Sequence, residues 1–231
     1  MVEYLDWDSN FFNLKIGKIE NYNELKTNIN IIDIESYDLI YFFNHSKSRN
    51  NIVNGCVNVD IKITYSLPIK NFIPVTQQKN KIETKQNFTE KEKSDLIKRT
   101  VESGIYSRFY IDKNFPNESF ERLYEFWLIS SLDSVNKKIF FSKSKEEIIG
   151  ILILNTSKVE SVIEILSVSE TFRGQGIARD LIIEAYSYSC QNNKKEIKVA
   201  TQFNNFTACK FYENFGFKKI NEIEIYHLWK K

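Results

Sequence analysis

Residues 162–186, VIEILSVSETFRGQGIARDLIIEAY, constrain the fold more than any other part of the chain. An apolar, β-branched run ends near Val168 and a short polar turn follows. Arg173-Gly174-Gln175-Gly176-Ile177-Ala178 then opens a helix with the apolar stripe Ala178, Leu181, Ile182 and Ala185. The chain has only 7 glycines, so two of them one residue apart mark a place where the backbone needs unusual torsion or close approach. A strand that turns through such a loop into a helix offers outward N–H groups and a positive dipole end, which together suit a pyrophosphate. Arg173 can add a fixed positive charge. The same glycines are compatible with a plain strand-to-helix turn. They do not form a dinucleotide fingerprint, because Arg179 stands where the third glycine of GxGxxG belongs, and no GK[ST] follows to make a Walker A loop.

The elements around this segment can be read from periodicity. Strand-like runs occur at 14–20 (LKIGKIE), 37–43 (YDLIYFF) and 56–67 (CVNVDIKITYSL), the last alternating almost strictly. Residues 68–88, polar and carrying Pro68 and Pro74, read as an exposed connection, which divides the chain into an N-terminal part at 1–88 and a second domain at 89–231. Thr89 three positions before Glu92 is a capping-box spacing that predicts a helix over 89–103. Phe120, Leu123, Tyr124, Trp127 and Leu128 predict another over 117–132. From 138 the order is three strands, a helix (about 175–192), a strand (196–202), a helix (about 205–215) and a last strand. That order implies an α/β fold with a mixed sheet.

The RGQGIA segment after a strand resembles the acetyl-CoA signature of the GNAT acetyltransferases, [RQ]xxGx[GA], with Arg173, Gly176 and Ala178 in the required places. A second run, NNFTACKFYENFGF, places Asn205, Ala208, Tyr212, Glu213, Gly216 and Phe217 at the spacing that family uses beside the CoA thiol. The resemblance covers about residues 138–231. It implies the GNAT fold, with acetyl-CoA as co-substrate and a smaller N-terminal α/β part. It further implies that the backbone of Leu166, Ser167 and Val168 pairs with the pantetheine arm and that the amides from Gly174 through Gln175, Gly176 and Ile177 to Ala178 take the pyrophosphate. Asn205 belongs to the same cofactor set.

Transfer of acetyl to an amine needs donors for the oxyanion and a proton for the departing thiolate. The resemblance assigns that proton to Tyr212. A phenol near pKa 10 giving its proton to a thiolate near 8.5 works uphill by about 2 kcal/mol. Tyr212 also lies on an apolar stripe with Ala208, Phe211 and Phe215, so packing alone can account for it. Glu164, an acid in an apolar strand, shares a face with Leu166 and Val168 and is a candidate base; a solvated or salt-bridged glutamate reads the same way.

In the N-terminal half, Leu5-Asp6-Trp7-Asp8-Ser9 with Phe11-Phe12, the run from Gly104 to Phe109 with Asp112 and Phe115, and Phe120-Glu121-Arg122-Leu123-Tyr124 with Trp127 resemble the dTDP-fucosamine acetyltransferases of the same family. That resemblance implies a nucleotide-linked 4-amino-4,6-dideoxyhexose as acceptor, on the way to surface polysaccharide. A nucleotide-sugar site wants a cation for the diphosphate, aromatics for the base and polar groups for hydroxyls. Tyr106, Arg108 and Asp112, with Trp7, Asp8 and Phe11, are the candidates. An edge strand at SRFYID and an N-terminal segment packing its aromatics on the core, or a dimer surface, are the structural alternatives. The functional alternatives are another small amine, a protein N-terminus, or a binding module without catalysis.

Charge and cysteine usage narrow the field further. With 32 Lys plus Arg against 30 Asp plus Glu, the net charge of +2 gives no field for nucleic acid. Cys56, Cys190 and Cys209 are too scattered for a disulfide framework or a CxxC metal pair, and with two histidines no metal is expected. The sequence shows neither a signal peptide nor a run of 18 uncharged apolar residues. A cytoplasmic protein without membrane insertion, with homodimerisation left open, is the expectation.

Overall fold

The computed structural model describes residues 2–20, 35–45, 55–69 and 78–230. The strands are β1 (Glu3–Tyr4), β2 (Ile16–Glu20), β3 (Leu39–Asn44), β4 (Val57–Pro68), β5 (Lys137–Ser144), β6 (Glu147–Thr156), β7 (Glu160–Val168), β8 (Glu196–Gln202) and β9 (Lys218–Trp229). The helices are α1 (Asp6–Phe12), α2 (Glu90–Ser103), α3 (Arg108–Ile111), α4 (Ser119–Leu132), α5 (Ile177–Gln191) and α6 (Phe206–Phe215). Among the described residues these nine strands form one mixed sheet in the order β1-β2-β3-β9-β4-β8-β7-β6-β5. Strands from both sides of residue 88 thus share a sheet, β4 lying between β8 and β9. The last strand ties the two halves, pairing with β3 from Leu39↔Trp229 to Asn44↔Glu224 and with β4 along most of its length.

The continuous apolar run of β6 is explained by burial on both faces. Ile151 and Ile153 join Leu96, Leu123, Leu128 and Ile165 under α2 and α4, while Leu152 and Leu154 join Leu181, Ile182 and Ile197 under α5. Each such side chain contributes about 2 kcal/mol by leaving water. The predicted capping box on α2 is complete, with Thr89 and Glu92 satisfying each other's backbone N–H. Gly176 caps α5 at its start and Gly216 caps α6 at its end, both left-handed, at φ of 84° and 110°.

The WDSNFF segment, which the sequence left without an element, is helical, closed at Asn13, whose left-handed φ of 54° lets its N–H reach Ser9 O. SRFYID, for which an edge strand was an alternative, is one helical turn rather than a strand. Of the connection expected over 68–88, residues 70–77 lie outside the described residues. Residues 78–83 are pinned to the body: Gln78 donates to Glu184, Lys79 and Asn80 donate to Asp180, and Glu83 bridges to Phe141 in β5.

Candidate active site

β7 and β8 run parallel and pair only from Glu160↔Glu196 to Ile163↔Val199. Beyond that point β8 keeps its ladder with β4 as far as Gln202, while β7 stays with β6 as far as Gly150↔Val168. The register of β7 against β6 slips between Ile153↔Ile165 and Leu154↔Ile163, which leaves Glu164 as an extra residue. A bulge bends and twists its strand. From here the sheet splits into a V, and the β7 edge facing β8 has no ladder partner beyond Ile163. A cleft of about 520 Å³ fills the opening, lined on one side by Glu164, Leu166, Asn205, Ala208 and Tyr212.

At the end of β7 stands the glycine loop. Gly174 and Gly176 have φ of 78° and 84°, and a Cβ on Gly174 would meet nothing within 4 Å. The arrangement suits a pyrophosphate on the N-terminal amides of α5, which begins at Ile177 and continues through Ala178. Arg173 folds back so that its Nε donates to Val168 O at 3.2 Å. Asn80 donates to Gln175 O at 3.1 Å and to Asp180 at 2.8 Å, which fixes the loop against a neighbouring segment. Asn205 caps α6 by accepting from Ala208 N. Ser167 pairs with Ile151 in the β6 ladder. These features fit acetyl-CoA: an unpaired strand edge for an amide-bearing chain, and a Gly-rich helix start for phosphates.

Tyr212 is buried, its ring against those of Tyr65, Phe211 and Phe217. Burial, and secondarily Cys209, pushes its phenol well above the ordinary value. It therefore holds its proton throughout the working range, and giving that proton up is steeper than for a free phenol. Glu164 is an exposed residue whose carboxylate lies 2.6 Å from Lys137 and accepts from Asn155 at 2.7 Å.

The opposite side of the cleft comes from the N-terminal half and α3–α4: Trp7, Asp8, Asp60, Lys62, Arg108 and Tyr124. The Arg108 guanidinium lies over the rings of Phe109 (4.5 Å), Tyr41 (4.6 Å) and Phe43 (5.7 Å), and its Nε is buried without a hydrogen-bond partner. Burial raises the Asp8 carboxyl, against the opposing influence of Arg108 and Tyr41. Asp60 is buried, its Oδ1 without a partner, and burial pushes its carboxyl up to about 6 despite Arg108 and Lys62.

Of the acceptor-side residues expected from the sequence, Trp7, Asp8 and Arg108 meet in this cleft. Phe11 stacks behind Trp7 at 5.1 Å and does not line the cleft. Tyr106 is exposed outside it. Asp112 is buried elsewhere, accepting from His227 at 2.6 Å, from Trp229 at 2.7 Å and from Asn114. Burial pushes His227 down to about 4, so its neutral ring donates Nδ1–H to Asp112. Asp60 and Lys62 are cleft residues that the sequence did not single out, and Tyr124, read there only as a helix-stripe and resemblance residue, lines the cleft as well. The visible signal for Asp60 was an acid inside a strongly β-patterned run. No group of three or more metal-ligating side chains occurs among the described residues.

A split sheet with a phosphate-type loop at one strand end is the arrangement that the GNAT resemblance of the sequence implies. The family model described as an acetyltransferase (GNAT) domain matches residues 102–227, over half of the chain, and the protein belongs to this family. The spore coat polysaccharide biosynthesis protein SpsD of Bacillus subtilis is 23% identical over 128 residues, 55% of this chain and 44% of that protein. Streptothricin acetyltransferase of Escherichia coli is 36% identical over 73 residues, 31% of this chain and 42% of that one. The chain thus aligns with less than half of either relative. Among solved structures, a functionally unknown conserved protein of Staphylococcus epidermidis superposes with a TM-score of 0.65 at 12% identity, over 93% of this chain and 83% of the other. A GCN5-related N-acetyltransferase of Sphaerobacter thermophilus gives 0.61 at 14% identity, over 84% and 60%. These likenesses concern the fold. No helix among the described residues is long and apolar enough to cross a membrane.

Proposed function

We propose that the protein transfers acetyl from acetyl-CoA to the amine of a nucleotide-linked amino sugar of the 4-amino-4,6-dideoxyhexose type, in the cytoplasm, for surface polysaccharide synthesis. The observation that carries this reading is the meeting, in one cleft, of the unpaired β7 edge with Arg108 on its aromatic bed. A guanidinium with an unpaired, buried Nε and the Trp7 ring on the same cleft wall supply a cation for a diphosphate and a ring for a base. The likeness to a spore coat polysaccharide biosynthesis protein agrees with a place in polysaccharide synthesis.

In this scheme Leu166, Ser167 and Val168 hold the pantetheine amides along the strand edge. Gly174 to Ala178, with Arg173, hold the pyrophosphate, while Asn205 shapes the wall at the start of α6. Tyr212 supplies the proton that the leaving sulfur needs. The co-substrate brings the activated acetyl group; the chain orients it and keeps water from the thioester. Trp7, Asp8 and Arg108 position the acceptor.

A free-thiol assay with acetyl-CoA and dTDP- and UDP-linked 4-amino-4,6-dideoxyhexoses tests the reading, with thiol release expected for a sugar nucleotide and none for simple amines. A second reading, transfer to another small amine, is favoured by Asp8 and Asp60 beside Arg108, charges of both signs that suit a zwitterion, and by the similarity to streptothricin acetyltransferase. Release with amino acids or streptothricin and not with sugar nucleotides would select it.

A further inference from the structure

A carboxylate that is buried, faces a reaction cleft and lacks a partner on one oxygen calls for an explanation, because burying such a group costs several kcal/mol unless it is paired. Asp60 is 8% exposed and lines the cleft, and its Oδ1 is buried without a hydrogen bond. Among the described residues no cation closes on it within 4 Å, so it is not one half of a structural ion pair.

Its position comes from the backbone. β4 pairs with β8 only as far as Lys62↔Gln202, which leaves Asp60 just past the end of that ladder, at the mouth of the V. The register of β4 against β9 slips between Asn58 and Asp60, and a bulge of this kind re-aims the side chains next to it. Period-two alternation puts Asp60 on the same face as Lys62, away from Ile63.

We propose that Asp60 is the general base, the group that takes a proton from the acceptor amine. The proposal rests on the acetyl-transfer reading and adds a catalytic residue to it. An ammonium entering the cleft meets the Asp60 carboxylate, gives it one proton and becomes a neutral nucleophile; that proton leaves to water through the mouth. The amine nitrogen then forms its bond to the thioester carbonyl carbon as the carbon–sulfur bond breaks. The second N–H proton leaves nitrogen to water in the cleft as Tyr212, having protonated the departing sulfur, takes one back, so an ammonium and acetyl-CoA yield an amide, CoA thiol and one released proton.

The surroundings tune the group for this task. Burial pushes it up to about 6, while Arg108 from α3 and Lys62 on its own strand act to lower it. The Tyr124 hydroxyl faces it from α4, and Asp8 and Glu164 are the other carboxylates on the cleft wall. The candidate base Glu164 is instead engaged by Lys137 and Asn155.

The test compares the protein with its Asp60→Asn and Glu164→Gln variants. Thiol release is followed from pH 5 to 9.5 with the sugar nucleotides, amino acids and streptothricin as acceptors. For the wild type, kcat/KM should fall as pH drops through about 6. Asp60→Asn should lose a hundredfold or so of kcat at pH 7 and show no such limb. Its deficit should shrink towards pH 9.5, where the amine deprotonates unaided, and acetyl-CoA affinity should stay unchanged. A wild-type profile retained by Asp60→Asn, or a limb lost only in Glu164→Gln, overturns the assignment while leaving acetyl transfer standing. Silence of the wild type with every acceptor overturns the transfer reading and Asp60 with it.

Discussion

The carboxylate of Asp180, in the first turn of α5, accepts from the backbone N–H of Asn80 at 2.9 Å and from its side-chain amide at 2.8 Å. The same amide reaches Gln175 O in the glycine loop. A residue from before α2 thereby holds the phosphate-type loop in shape before any ligand arrives. Asn80→Ala removes both side-chain bonds and leaves the backbone ones. It should lower stability by about 1–2 kcal/mol and weaken acetyl-CoA binding about tenfold, both measurable by calorimetry. Loss of stability with unchanged affinity would show that the loop keeps its shape without this strap.

The two loop glycines should respond differently. Both have left-handed torsions, so alanine costs about 1–2 kcal/mol of strain at either position. At Gly174 the added Cβ points into open space, whereas at Gly176 it meets the Asn80 amide at 3.7 Å. Gly176→Val should therefore disturb Asn80 as well as the start of α5 and abolish detectable acetyl-CoA binding. Gly174→Ala should bind with only a few-fold loss, as titration calorimetry can read.

Tyr212 is a packing residue and a cleft residue at once, and Tyr212→Phe separates the two roles. The ring contacts with Tyr65 and Phe217 survive the change, so the thermal midpoint should move by no more than a few degrees. If the hydroxyl serves the leaving sulfur, kcat should fall a hundredfold or more with acetyl-CoA affinity intact. Unimpaired turnover would assign Tyr212 to the core alone.

Much of this was legible in the sequence. The alternation of CVNVDIKITYSL, the capping box at Thr89 and the apolar stripe of α4 each state a local geometry that tertiary packing reinforces. The glycine loop was legible because glycine is scarce here and both copies sit where φ is positive. What could not be read is which face of an alternating strand meets a cavity. Asp60 occupies a polar position of its run, which looks like a solvent face until α3 and α4 cover it. Asp112 carries the converse lesson: near Arg108 in sequence, it is drawn to His227 and Trp229, brought beside it by β9 pairing with β3. The bulge at Glu164 has no sequence mark, yet it opens the V on which the cleft depends.

A final prediction concerns pH and folding. Glu92 is buried at the start of α2, with Lys143 at 2.6 Å, Lys85 at 2.5 Å and the Thr89 N–H at 2.8 Å. Hydrogen bonds from Lys143, then Lys85 and Thr89, hold its carboxyl down at about 2, below the ordinary 4.5. A group whose folded value is depressed stabilises the fold fully above its unfolded value and loses that contribution as pH falls through the folded one. The window is therefore pH 4.5 down to 2. The side chains of Lys85 and Lys143 are 35% and 23% exposed, so solvent screening reduces the gain to the order of 1 kcal/mol. Urea unfolding at pH 7 should show Glu92→Gln less stable than the wild type by about that amount or more, since two lysines lose their shared carboxylate. The difference should narrow steadily between pH 4.5 and 2 as the wild-type carboxyl takes up its proton. A constant gap across that range would mean that Glu92 stabilises α2 through its uncharged capping geometry rather than through the lysines.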